Sequence, residues 1–195
     1  MQWTETIMFG DEENELHGTR KMVYDYIQAH PGAHLREIAR SLNLAIGDVQ
    51  YHLYALEKNG YVVSKRRGLY KHFYTNNIFN ESQKNIIEAL SHETSRRILF
   101  LLLHKHSISQ GEIAKFVKVS ASTVTWHMKR LINTGLVSVH REGRTTKYDL
   151  NVPADEIEKL AKNYPLMIWE KWADRLADLW IDLSDYKESE AGKDD

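Results

Sequence analysis

The sequence predicts a mainly α-helical chain with small β-hairpins, built as two copies of one unit and followed by C-terminal amphipathic helices. The first observation is an internal match. When the chain is shifted by 75 residues, residues 35–62 align with 110–137 without a gap. The second observation is that, in each copy, apolar residues recur at helical spacing over three segments and then give way to two β-rich runs around a glycine.

Identical residues carry the internal match. They are Glu37-Ile38-Ala39 with Glu112-Ile113-Ala114, Val49 with Val124, His52 with His127, Leu56 with Leu131, and Gly60 with Gly135. The same offset extends the match to about residues 20–73 and 95–148. Because a solenoid needs at least three units, two units predict two small domains, each with its own core.

Each unit predicts the same order of elements. In the first, we expect helices over 19–29 and 35–42, a turn over 43–47, and a third helix that carries Val49, Leu53 and Leu56 and ends at Asn59-Gly60. In the second, we expect helices over 96–104 and 110–116, and a third from the N-cap Ser120 to Thr134-Gly135. The hairpins are expected over 61–63 and 70–74, and over 136–141 and 145–150. Three helices followed by a two-stranded wing form a winged helix-turn-helix.

The predicted organisation has six parts. They are an acidic arm (1–18), a first winged-helix domain (19–75), a linker (76–82) in which Phe79 packs, a second winged-helix domain (83–151), C-terminal helices (153–186) and a charged, disordered tail (187–195). The net charge of −1 hides a strong segregation, because residues 105–147 carry eight bases and two acids whereas residues 153–195 carry six bases and twelve acids. A basic middle between acidic ends favours an anionic partner.

Composition excludes several classes of protein. The sequence holds no cysteine, so disulfides and thiolate metal sites are excluded. Neither a signal peptide nor an apolar run long enough for a membrane is found, which predicts a cytoplasmic protein. His104-Lys105-His106 offers two ligands, too few for a metal site, and the equivalent His52 and His127 are expected to be structural. No catalytic motif stands in a suitable context, so we expect no enzyme and no cofactor.

The second unit resembles the bacterial and archaeal ArsR/MarR-type winged-helix regulators. The resemblance rests on EIAKFVKVSASTVTWHMKRLINTGLV followed by HREGRTTKYDL. The first unit is a weaker example, because Ala45-Ile46-Gly47-Asp48 replaces the Ser-rich start of the third helix, and the whole chain resembles tandem regulators of archaea. The resemblance implies a sequence-specific transcriptional regulator that binds double-stranded DNA. The cysteine pair of the metal-sensing members is absent, so metal sensing is not implied.

The third helix of each unit is the expected reader of the major groove. In the second unit Val124, Met128 and Leu131 must face the core, which leaves a polar outer face for bases and phosphates. The candidates there are Ser122, Thr123, Thr125, Trp126, Lys129 and Arg130. In the first unit they are Gln50, Tyr51 and Tyr54. Asp48 would repel phosphate or cap the helix, and the hydroxyls of the second unit also suit simple capping.

The wings carry the stronger electrostatic signal. Lys65, Arg66, Arg67 and Lys71 surround the first turn, and Arg141, Arg144 and Lys147 the second. Basic wings lie along phosphates or enter the minor groove, where arginine is favoured. A solvated basic loop is the alternative, and it is weakened by the recurrence at the same place in both units.

The C-terminal segment shows a heptad pattern. Ile157, Leu160 and Ala161 predict one amphipathic helix, and a second begins at Pro165. Its apolar stripe consists of Trp169, Trp172, Leu176, Leu179, Trp180 and Leu183. The pattern favours a homodimer seam, and packing on the chain's own domains is the alternative.

Two rival functions remain open at this stage. One is a protein-interaction module of a transcription-related assembly, favoured by Asp48 and the tryptophan-rich C-terminus. The other is a sensor with a ligand pocket between the domains and the C-terminal helices. A continuous positive face across both third helices and wings would favour DNA, whereas acids or exposed aromatic residues within it would favour protein.

Overall fold

The structure, a computed structural model, describes residues 16–164, which contain eight helices and five strands. In chain order these are α1 (Gly18–Ala29), α2 (Leu35–Ser41), α3 (Ile46–Lys58), β1 (Val62–Arg67), β2 (Tyr70–Thr75), α4 (Glu81–Ser91), α5 (Glu93–His104), β3 (Ile108–Ser109), α6 (Gln110–Val117), α7 (Ala121–Asn133), β4 (Val137–Glu142), β5 (Thr145–Leu150) and α8 (Ala154–Asn163). The predicted fold class, mainly α with two winged helix-turn-helix domains, is confirmed.

The first domain packs α1, α2 and α3 around one small core. Val23, Ile27, Ile38, Val49 and Leu56 are fully buried in it. These are the positions that helical periodicity assigns to the inner faces. The antiparallel hairpin β1–β2 completes the domain, in a register that pairs the first residue of β1 with the last of β2.

The second domain repeats this arrangement with α5, α6, α7 and a three-stranded sheet of order β3-β5-β4. Its short extra strand β3 pairs with β5 through Ile108 and Ser109. The first domain has a single bridge, between His34 and His72, at the same place. The repeat therefore extends from sequence to sheet topology.

Helix α4 was not predicted. It begins at Glu81, inside the segment expected to be a linker, and Asn80 and Gln83 close it with a reciprocal capping box. Its Ile86 and Ile87 are buried in the core of the second domain, together with Tyr74 from the first hairpin. The end of the first wing thus packs on the first helix of the second domain.

The segment after the second wing also packs on this core. Ile157, Leu160 and Ala161 lie on one buried face of α8, as predicted. Phe79 is partly buried, with its ring centroid 5.5 Å from that of Tyr164, so its predicted packing is confirmed. Helix α8 is therefore part of the second domain's core.

Several predictions fall on residues that the structure does not describe. Most of the acidic arm, the stripe of Trp169, Trp172, Leu176, Leu179, Trp180 and Leu183, and the charged tail lie outside residues 16–164. Among the helices within that range, none has the length and apolar character needed to cross a membrane.

Candidate nucleic-acid interface

Helix α7 has two sharply different faces. Val124, Met128 and Leu131 are buried, as predicted for its inner face. The opposite face exposes Ser122, Thr125, Trp126 and Lys129. Trp126 is 59% exposed and is the largest side chain on this face.

The hydroxyl groups at the start of α7 have local partners. Ser120 caps the helix, because its Oγ accepts a hydrogen bond from the backbone N–H of Thr123 at 3.2 Å. The Oγ of Ser122 lies 2.9 Å from that of Ser120. Thr125 Oγ1 donates to the carbonyl of Ala121 at 2.8 Å and accepts from Gln110. Ser122 and Thr125 are nevertheless exposed. They make hydrogen bonds within the helix start and remain accessible to a bound partner.

The two cations of α7 differ in their surroundings. Arg130 Nη2 donates to the carboxylate of Glu88, and its guanidinium lies 5.6 Å from the centre of the Trp126 ring. The guanidinium of Arg130 is therefore engaged in contacts within the protein. Lys129 is exposed, and within residues 16–164 the structure gives it no ion pair.

The second wing presents two arginines at its tip. Arg141 and Arg144 are exposed on either side of Gly143, which has the positive φ of 60° that a tight turn favours. Lys147 sits lower on the wing, with Nζ 3.8 Å from Glu112 and 4.0 Å from Glu142. Two of the three predicted cations of this wing thus point to solvent without an ion pair in the described chain.

The first wing divides its cations between its two faces. Successive side chains of a strand point to opposite sides. Lys65 and Arg67 accordingly turn inward to α4, where they pair with Glu81 and Glu88. Arg66 is exposed on the other side, and Lys71, its cross-strand partner, lies 3.0 Å from Glu57.

The residues of α4 that contact the inward-facing cations of the first wing form a polar stripe. The sequence analysis missed this stripe. Glu81, Asn85 and Glu88 are spaced four and three residues apart, so they share one helix face. Asn85 accepts from the inward cations of the first wing and donates to the carbonyl of Thr134, at the end of α7, at 3.0 Å. The i, i+4, i+7 spacing is the signal that could have revealed the stripe.

Titration properties follow from these contacts. Hydrogen bonds from Lys65 and Lys84 lower the pKa of Glu81 to about 2. Burial lowers the pKa of His92, and the nearby Arg130 lowers it further. Burial likewise lowers the pKa of His127, whose Nδ1 lies 2.9 Å from Ser95 Oγ. Both imidazoles are thus favoured in the neutral form.

The reading helix of the first domain has a different surface. Tyr51 and Tyr54 are 62% and 65% exposed, Ile46 is also exposed, and Gln50 lies between them. Asp48 occupies the first turn, and the N-cap is Ala45, which makes no side-chain cap. This face exposes two tyrosines and an isoleucine, whereas α7 exposes hydroxyls, a lysine and a single aromatic residue, Trp126.

The first wing and α7 face each other across an open cleft. Its volume is about 940 Å³, and its lining includes Leu69 and Tyr70 of the wing with Trp126 and Lys129 of α7. A smaller groove of about 410 Å³ separates the same wing from α3. Within residues 16–164, no cluster of three or more potential ligands could hold a metal ion.

Comparison with known proteins agrees with this geometry. A family model described as an N-terminal HTH domain matches residues 17–87, and one described as winged helix-turn-helix DNA-binding matches residues 91–138. The transcriptional repressor SdpR of Bacillus subtilis is 33% identical over 67 residues, which cover 34% of this chain and 73% of SdpR.

An HTH-type transcriptional regulator of Methanocaldococcus jannaschii, MJ1398, is 31% identical over 144 residues, which is 74% of this chain and 36% of MJ1398. The match thus spans about a third of that relative's length. The solved structure of HlyU from Vibrio cholerae is 28% identical, covers 43% of this chain and 91% of HlyU, and has a TM-score of 0.38. The chain belongs to the DNA-binding helix-turn-helix transcriptional regulators, with two winged-helix domains.

Proposed function

We propose that this regulator recognises a specific duplex sequence mainly through its second domain. In this proposal α7 enters the major groove, and Ser122, Thr123, Thr125 and Trp126 meet base edges. Lys129 lies along phosphates, whereas Arg130 stays paired with Glu88. Arg141, Arg144 and Lys147 hold the backbone or the minor groove. The observation that carries it is the polar outer face of α7, with its exposed Lys129, set beside a wing whose tip exposes two arginines.

The charge distribution supports this assignment. Lys129, Arg141 and Arg144 have no ion pair within residues 16–164, so their charges are available to phosphates. In the first wing only Arg66 and Lys71 face outward, whereas Lys65 and Arg67 are paired with α4. The first domain therefore offers fewer cations than its sequence suggests.

The experiment is a gel shift of the full chain at low salt, with duplexes from its own promoter region and duplexes selected from a random library. We expect a selected sequence to bind at least about a thousandfold more tightly than random duplex at physiological salt. Lys159→Ala, on the exposed face of α8, is the matched control and leaves binding unchanged. Absence of binding at low salt, where phosphate contacts are strongest, would overturn the proposal.

The proposal also includes a homodimer formed through the predicted C-terminal helix. Its support is the heptad pattern of Trp169, Trp172, Leu176, Leu179, Trp180 and Leu183. Light scattering after size exclusion tests it. Leu176→Asp should convert a dimer into a monomer, and a monomeric wild-type chain would contradict the assignment.

A second function, docking of a protein on the first domain, is favoured by one observation. The outer face of α3 exposes Ile46, Tyr51 and Tyr54, and the nearby Lys71 is paired with Glu57. Exposed aromatic residues are enriched at protein interfaces. Tyr51→Ala and Gln50→Ala decide between the two, since weaker DNA binding by both would return α3 to the DNA interface.

A further inference from the structure

We propose that Leu69, at the tip of the first wing, enters the minor groove as an apolar wedge and bends the DNA that α7 contacts. The inference rests on the proposed DNA-binding function. It gives the first domain a role in shaping the duplex and leaves base reading to the second domain.

The exposure of Leu69 is the starting observation. Its side chain is 86% exposed, more than any other large apolar side chain in residues 16–164. The hairpin does not require it, because Gly68 already supplies the positive φ of 58° and the next position of such a turn suits a small polar residue. An apolar group left in water gains nothing from folding. Leu69 is therefore accessible to a bound partner.

The internal repeat supplies a comparison within one chain. The offset of 75 residues places Leu69 on Arg144, at the tip of the second wing. Arginine is the side chain that a narrow minor groove attracts. Leucine is one of the apolar residues that DNA-bending proteins insert between base steps. The two wings thus carry the two kinds of side chain that minor-groove binders use.

The first wing is anchored on α4 and on the core of the second domain. A residue that separates stacked bases must push against them, so its support must not yield. Inward-facing Lys65 and Arg67 pair with Glu81 and Glu88 on α4. Further along the hairpin, Tyr74 is 1% exposed in the core of the second domain. The first wing is therefore packed against the second domain, which contains α7.

Position and charge place the wing tip next to DNA bound by α7. Leu69 lines the same cleft of about 940 Å³ as Trp126 and Lys129. Behind the tip, Arg66 and Lys71 stand opposite each other on the hairpin. Lys71 is ion-paired with Glu57, so Arg66 is the exposed cation behind the tip that is available to a phosphate.

The test measures bending and affinity separately on one selected duplex labelled at both ends. Energy transfer between the labels reports the bend, and fluorescence anisotropy reports affinity. We expect the wild-type chain to kink the duplex by roughly 20–90°. Leu69→Ala should straighten it while weakening binding by less than about tenfold, because the leucine makes no phosphate contact.

Two variants provide the controls. Leu69→Arg copies the tip of the second wing and should bind without a bend, whereas Arg144→Ala should weaken binding but keep the bend. An unbent duplex with wild-type protein, or a bend that survives Leu69→Ala, would overturn the wedge and leave the proposed function intact. Failure of the wild-type chain to bind any duplex would overturn both. If Leu69→Ala abolishes binding, Leu69→Met is measured in its place. DNA binding by Leu69→Met with a bent duplex supports the wedge. DNA binding by Leu69→Met with an unbent duplex contradicts it.

Discussion

Arg67 of the first wing is ion-paired with Glu88 of α4, a carboxylate only 5% exposed. The same carboxylate accepts a hydrogen bond from Arg130 of α7. One buried acid therefore joins the wing of the first domain to the third helix of the second domain. This contact fixes the spacing between the two elements.

Replacing this acid should destabilise the fold. Glu88→Ala removes the carboxylate that is ion-paired with Arg67 and accepts a hydrogen bond from Arg130, so we expect a loss of roughly 1.5–3 kcal/mol in the free energy of unfolding, the range for hydrogen bonds to charged groups. Urea unfolding measures it. Glu158→Gln, on the exposed face of α8, is the control and should stay within about 0.5 kcal/mol of wild type. Equal stability of the two variants would show that Glu88 is not a structural link.

Neighbouring serines at the start of α7 should separate stability from DNA binding. Ser120 caps the helix, so Ser120→Ala should cost about 1 kcal/mol of stability. Ser122 is exposed within the first turn, so Ser122→Ala should leave the melting temperature nearly unchanged and weaken specific DNA binding. Calorimetry and anisotropy on both variants check this, and a cap-sized loss of stability in Ser122→Ala would contradict the division of roles.

The salt dependence of DNA affinity should report how many cations contact phosphates. Lys129→Ala and Arg144→Ala should each reduce the slope of log affinity against log salt by about 1. Lys65→Ala should reduce it less, because Lys65 is already paired with Glu81. Affinities at several salt concentrations provide the slopes. If Lys65→Ala reduced the slope as much as Lys129→Ala, the inward ion pair would not persist in the complex.

Stability should fall in mild acid because of His92. Burial lowers its pKa in the folded state, so the unfolded chain takes up a proton that the folded chain resists. Stability is therefore full above about pH 6.5 and declines as the pH falls below that value. His92→Gln should flatten this decline, and adding His127→Gln should flatten it further. Thermal unfolding between pH 7.5 and 5.5 measures the effect, and unchanged profiles would exclude these two histidines as its cause.

The repeated units were predictable from sequence because their signals are local. Helical spacing placed Val124, Met128 and Leu131 on the buried face of α7, and Ser120 identified its start. The alternation of β1 also implied that Lys65 and Arg67 share one side of the hairpin. Which residues that side of the hairpin would contact depended on tertiary packing. Tertiary contacts leave no periodic pattern in the sequence.

Helix α4 is the main element that the sequence analysis missed. Asn80 and Gln83 form a capping box, and Ile86, Ile87 and Leu90 follow at helical spacing, so a local signal existed. The internal repeat hid it, because α4 falls between the two matched segments. The acidic and amide side chains of α4 then converted half of the first wing's cations from candidate DNA contacts into structural ion pairs.

The most direct test of the central claim compares the sequences selected by three forms of the full chain. Wild type, Ser122→Ala/Thr125→Ala on α7 and Gln50→Ala/Tyr54→Ala on α3 are each used to select duplexes from a random library. If α7 reads the bases, the α7 variant selects a relaxed or altered sequence, while the α3 variant recovers the wild-type sequence. An unchanged preference in the α7 variant, with affinity intact, would contradict the assignment of base reading to the second domain.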